Sequence, residues 1–292
     1  MSQPTIGIAL AGGGARGIAH LGVLQALEEH GISPRWVSGA SAGALVGALY
    51  AAGRSPKEIL HIFKESSLLK LFRVGIPSAG LVDNGYIVEM FKSLIPENSF
   101  GALQRRLFIS VTNFSTGSAE ILHQGDLAEV VAASAAIPVL FRPREIGGQW
   151  YADGGVLNNL PIEPLREAGL FVIGVNVTPV LPISKLEGLP EAAYRTIDLV
   201  MWSNVAPRLA ACDLAIEPEV TQYRFFDLGK ADEIYQLGYD AALRRMPELL
   251  RRVGGPSALV IAAPRLAPPP DAPAPKLPWW KRLWSWFRRR FR

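Results

Sequence analysis

Three short motifs in this 292-residue chain could carry chemistry. The first is Gly39-Ala40-Ser41-Ala42-Gly43, a G-x-S-x-G pattern. A nucleophilic serine needs an exposed hydroxyl on a tight, strained turn. Flanking glycines allow that turn and let neighbouring backbone come close. A helix after the serine would aim its first N–H groups at developing negative charge. Close helix packing would use the same small residues. The second motif, Gly12-Gly13-Gly14-Ala15-Arg16-Gly17, fits two templates. A dinucleotide fingerprint would want an acid at the end of the second strand, and Ser38-Gly39 stands there instead. An oxyanion hole would use the unshielded N–H groups of successive glycines to stabilise a tetrahedral acyl intermediate. The third motif is Asp153-Gly154-Gly155. A hairpin turn would favour these residues, and so would a carboxylate base placed to reach a serine directly.

The histidines argue about the base. They are His20, His30, His61 and His123, so none follows a late acid. The chain order Ser, acid, His of an α/β-hydrolase triad therefore fails. His20, one turn past the glycine loop, reads as structural. Cys212, at the start of a strand-like run, reads as a buried small hydrophobe.

These motifs must be positioned by strands and helices. Residues 5–11 read as a buried strand, 18–30 as a helix closed by Gly31, and 36–39 as a second strand. Residues 42–52 read as a small-residue helix. Ser55-Pro56 starts another, with Ser55 as N-cap. Strands follow at 107–111, 119–122 and 171–177. Helices follow at 127–136 and 231–253, and 258–262 could be a last strand. Residues 66–83 are loop-like yet apolar and are expected to form an apolar cap over the active site, although ordinary core packing would use the same residues. Alternation of strands and helices predicts an α/β fold: three layers, α/β/α, with a mainly parallel central sheet.

Together the motifs resemble those of the patatin-like phospholipases, compact bacterial type. Further segments look alike: His20-Leu21-Gly22-Val23-Leu24, Ser134-Ala135-Ala136-Ile137-Pro138, Val156-Leu157-Asn158-Asn159-Leu160-Pro161 and Leu237-Gly238-Tyr239-Asp240-Ala241-Ala242. The resemblance covers about residues 5–255. Ala40 stands where the family often carries Thr. The resemblance implies a Ser-Asp dyad without a catalytic histidine, in which Ser41 attacks a lipid ester and Asp153 takes its proton. It implies an oxyanion hole at Gly12, Gly13 and Gly14. Arg16, Gly17, Gly39, Gly43, Gly154 and Gly155 would support it, with Arg16 bracing the loop or meeting a phosphate. The implied activity is that of a phospholipase A, lysophospholipase or esterase, with no cofactor. A non-catalytic, membrane-tethered lipid sensor of the same fold is the alternative.

Composition sets the frame. Apolar residues are 49% of the chain, enough for a full core, and one cysteine excludes a disulfide framework. No H-E-x-x-H pattern or His/Cys cluster with ligand spacing suggests a metal. The net charge of +4 is uneven: residues 276–292 carry seven basic residues and no acid, leaving 23 basic and 26 acidic residues elsewhere. A nucleic-acid partner is not expected. The start, Met1-Ser2-Gln3-Pro4, lacks the basic region of a signal peptide. The expected organisation is a catalytic domain at 1–265, a Pro-rich linker at 266–278 and a tail at 279–292. In the tail Trp280, Leu283, Trp284, Phe287 and Phe291 share one helical face, with Trp279 and Trp286 flanking it. Lys281, Arg282, Arg288, Arg289 and Arg292 lie opposite, and Arg290 intrudes on the apolar arc. Such a helix suits an anionic membrane interface. The expected location is cytoplasmic, peripheral on the inner face of the cell membrane.

Overall fold

The computed structural model describes residues 4–254 except 66–81, 181, 184, 187 and 226. The expected apolar cap lies almost wholly outside the described residues. The 258–262 strand, the Pro-rich linker and the amphipathic tail lie outside them too.

Among the described residues eight strands form one sheet in the order β5-β6-β3-β2-β1-β7-β8, with β4 paired to β3. β1 (Ile6–Leu10), β2 (Trp36–Ala40), β7 (Phe171–Val175) and β8 (Leu214–Ile216) run parallel with the first part of β3 (Arg106–Asn113). β4 (Ser118–Leu122), β5 (Arg144–Ile146) and β6 (Gln149–Asp153) add an antiparallel margin. The sheet is thus mainly parallel, as the alternation of elements predicts.

Strand side chains alternate between two faces, and β1 shows both being covered. Ile6, Ile8 and Leu10 join the large core with α1 (Ala19–Glu29), α2 (Ala42–Ala51), α3 (Pro56–Glu65), α4 (Gly85–Leu94), α5 (Leu127–Ser134) and α8 (Ala231–Val253). Ala9 and Ala11 join a second core with α6 (Glu163–Glu167) and α7 (Leu189–Ala210), through Leu165, Val205 and Leu209. These are the three layers.

Local signals explain the helix ends. Ser55 and Glu58 form a reciprocal capping box at α3. Gly31, at φ 75°, closes α1, with its N–H donating to Glu28. The structure departs from the sequence reading in two ways. The helix read from residue 18 is preceded by a tight turn of 3-10 helix at Gly14–Ile18, and α4, α6, α7 and β5 have no counterpart in that reading. Cys212 is half-buried between α7 and β8, and burial raises its thiol to about 12.

Candidate active site

β2 ends at Ala40 and α2 begins at Ala42, so the chain must turn within Ser41. Ser41 takes φ 51°, ψ −121°, a left-handed conformation that costs a residue with a side chain about 1–3 kcal/mol. The surroundings enforce it. A Cβ on Gly43 would strike the Leu10 carbonyl, so α2 lies directly against β1 only because Gly43 has none. Ser41 N–H donates to Ser134 Oγ at 2.9 Å, and that hydroxyl donates to the Ser110 carbonyl at 2.7 Å.

Asp153 is the last residue of β6. Its N–H donates to Ala136 O, and Thr112 Oγ1 donates to its carbonyl. Its two carboxyl oxygens have separate partners. Ser41 Oγ donates to Oδ2 at 2.6 Å, and Gly155 N–H donates to Oδ1 at 2.7 Å. Residues 112 positions apart in the chain thus meet in a pocket where both are buried. Burial raises the Asp153 carboxyl to about 6, against the lowering effect of its two hydrogen bonds.

The glycine loop lies against this pair. A Cβ on Gly12 would come within 2.9 Å of Ser41 Cβ. Gly12 N–H, one of the three expected donors, is taken up by Asn159 Oδ1 at 3.0 Å. The physical reason is the loop after Asp153, which brings the Asn159 amide under Gly12. Among the described residues the N–H groups of Gly13 and Gly14 have no internal partner. Arg16 is buried, with Nε donating to Gly13 O and Nη2 pairing with Asp198 at 2.9 Å. Its guanidinium holds the loop through these two contacts. Gly17 packs on Ala42, Gly39 on Gly43, Gly154 on Ser110 and Gly155 on Asn159. His20 is fully buried and donates from Nε2 to Ala11 O at 2.7 Å, and burial lowers it to about 4, so it is neutral.

Ser41 opens into an apolar pocket walled by Leu45, Phe63, Tyr86, Ile137, Phe141 and Phe225. It encloses about 590 Å³, open solvent at its mouth included. Among the described residues, no group of three or more His, Cys, Asp or Glu side chains could hold a metal ion. Among them, too, no helix is long and apolar enough to cross a membrane.

Sequence reasoning quoted the Ser134 and Asn159 segments without giving either residue a task. It missed Asp198, Asn204 and Phe225. The helical spacing of Met201, Val205 and Leu209, all buried, was the available signal for α7.

The Patatin-like phospholipase family model matches residues 8–166, and the chain belongs to that family. An NTE family protein of Mycobacterium tuberculosis is 33% identical over 186 residues, covering 63% of this chain and 49% of that protein. Lysophospholipase NTE1 of Candida glabrata is 31% identical over 278 residues, covering 82% of this chain and 16% of that protein. The chain therefore spans about half the length of its mycobacterial relative and much less of the fungal one. Among solved structures, VipD from Legionella pneumophila aligns over 85% of this chain and 67% of its own, with 18% identity and a TM-score of 0.49.

Proposed function

We propose that the protein hydrolyses carboxylic esters of lipids through a dyad of Ser41 and Asp153. The observation that carries this is the 2.6 Å hydrogen bond from a strained, pocket-facing serine to a buried carboxylate. In the first half-reaction Asp153 takes the Ser41 proton as Oγ attacks the acyl carbon. The oxyanion so formed would be met by the N–H groups of Gly13 and Gly14, which have no partner among the described residues, and by the positive end of α2. The intermediate collapses, and the departing alcohol takes the proton from Asp153. In the second half-reaction Asp153 takes a proton from water as the water attacks the acyl-serine, and it returns that proton to Ser41 Oγ as the C–Oγ bond breaks and the carboxylic acid leaves. A carboxylate is a poor base in water, and one raised to about 6 is better matched to this task near neutral pH.

The apolar pocket favours an acyl chain as the recognised part of the substrate. The fungal relatives named lysophospholipases favour a single-chain phospholipid. The aromatic and basic tail favours work at an anionic membrane surface.

The test is hydrolysis of a soluble short-chain aryl ester, and of a lysophospholipid, by Ser41→Ala and Asp153→Asn. Each variant is expected to lose at least about 10³-fold in kcat, as dyad or triad knockouts do. Activity within tenfold of wild type in either folded variant would refute the dyad.

A further inference from the structure

We propose that α7 is a brace that holds both loops of the site in register, and that Asp198 and Asn204 are positioning residues for the reaction. This rests on the dyad reading above. It concerns a segment beyond the 8–166 match.

Two polar side chains of one helix reach two different loops. Asp198 accepts a hydrogen bond from Arg16 Nη2 at 2.9 Å, and Arg16 Nε donates to the Gly13 carbonyl at 3.4 Å. Asp198 therefore fixes the arm that holds the peptide at Gly13. Six residues on, Asn204 Oδ1 accepts the Asn159 N–H at 2.7 Å, and its Nδ2 donates to the Gly155 carbonyl at 3.0 Å. Gly155 presents its own N–H to Asp153 Oδ1, and Asn159 holds Gly12. One path thus runs from α7 to the oxyanion loop and another to the base. A third tie steadies the same loop: Arg208 Nε donates to Glu163, which accepts from Asn158.

The helix is a firm reference for these ties. Val205 and Leu209 anchor it in the second core, and Ile197 packs on the cluster of Ile137, Leu140 and Phe141 beside the pocket wall. The anchors and the polar ties are different side chains. Removing a tie leaves the anchors in place, so the loop can drift while the fold persists. Misplacing reacting groups by about 1 Å can cost on the order of 10²-fold in rate.

The two residues should leave different marks. Asp198 acts on the oxyanion side, so its loss lowers the rate and leaves the acid limb of the pH profile in place. Asn204 steadies the N–H that favours ionised Asp153, so its loss moves that limb upward. Besides burial, Asp153 is set by the Ser41 hydroxyl and Gly155 N–H. Arg16 and His20 after β1, Arg106 on β3, Glu120 on β4, Glu129 on α5, Arg144 and Glu145 on β5, Tyr151 on β6 and Asp198 on α7 are ionisable groups on the elements around it, and none contributes.

The experiment uses the full chain with Asp198→Asn, Asp198→Glu and Asn204→Leu. It measures the rate of fluorophosphonate labelling, kcat and KM for a soluble aryl ester, and the pH profile. Asp198→Asn and Asn204→Leu are each expected to slow labelling and kcat by about tenfold or more with KM nearly unchanged. Asp198→Glu recovers part of the rate, and only Asn204→Leu shifts the acid limb. If Asn204→Leu fails to fold, Asn204→Ser replaces it. Folded variants that label at the wild-type rate would overturn the brace alone. So would losses that merely follow the folded fraction seen by near-UV circular dichroism. A wild-type protein that takes up no fluorophosphonate would overturn the hydrolase reading, and the brace with it.

Discussion

Burial and two hydrogen bonds pull the Asp153 carboxyl in opposite directions, and burial wins. Ester turnover should therefore rise with pH and reach half its plateau near pH 6, a profile that stopped-flow or pH-stat assays can trace. Stability runs the other way. The folded carboxyl titrates near 6 and the unfolded one near its ordinary 3.8. Between those values the folded state binds more protons, so this group's contribution falls as pH rises from about 4 through about 6. His20 has the opposite sign, because its folded value of about 4 lies below the unfolded 6.5, and its contribution rises over that range. Comparing Asp153→Asn with wild type cancels the histidine. The variant should gain relative stability on going from pH 4 to pH 7, by no more than about 3 kcal/mol for two pH units. Thermal unfolding at the two pH values measures the difference, and an equal gap at both would refute the assignment.

At the scale of elements, the turn at Ser41 depends on how closely α2 can lie on β1. Gly43→Ala places a methyl group on the Leu10 carbonyl, which is backbone and cannot yield cheaply. It should cost about 1–3 kcal/mol in urea unfolding and slow fluorophosphonate labelling. Gly101→Ala, with only Ser99 Oγ at 3.6 Å, should stay within about 0.5 kcal/mol. These glycines were legible in the sequence because close packing leaves a small-residue signature. The long helix α8 was legible over residues 231–253 because one face is apolar throughout, at Ile234, Ala241, Met246 and Leu249. α7 was not. Its buried residues are few, Leu199 and Val200 are exposed, Asp198 and Asn204 reach loops, and Pro207 lies inside it. Asn159 and Asn204 show the same limit within the site. A side chain that serves another residue's peptide group carries no periodicity, and only the folded chain reveals the partner.

Across the whole molecule, charge and chemistry separate. The seven basic residues of 276–292 stand against a slight acidic excess in the rest of the chain. Removing residues 277–292 should therefore abolish sedimentation with anionic vesicles and leave turnover of a soluble ester within about twofold, since salt-screened attraction acts on binding and not on the bond broken. Loss of both activities together would show that the tail belongs to the catalytic fold. The described residues are themselves stitched end to end. α1 and α8 cross where Gly22 and Gly238 let their backbones touch, and the Phe225 carbonyl accepts the Ala15 N–H.

That last contact sets an order of events during synthesis. The glycine loop leaves the ribosome among the first residues, yet its partners Asn159, Asp198 and Phe225 follow 140 or more residues later. A nascent chain that already carries Ser41 and Asp153 still lacks the clamps that shape the loop. Translation intermediates arrested before α7 should take up no fluorophosphonate, and labelling should begin only when residue 225 has cleared the exit tunnel. The proposed ester-hydrolysing site would thus be completed only when nearly the whole fold has been made.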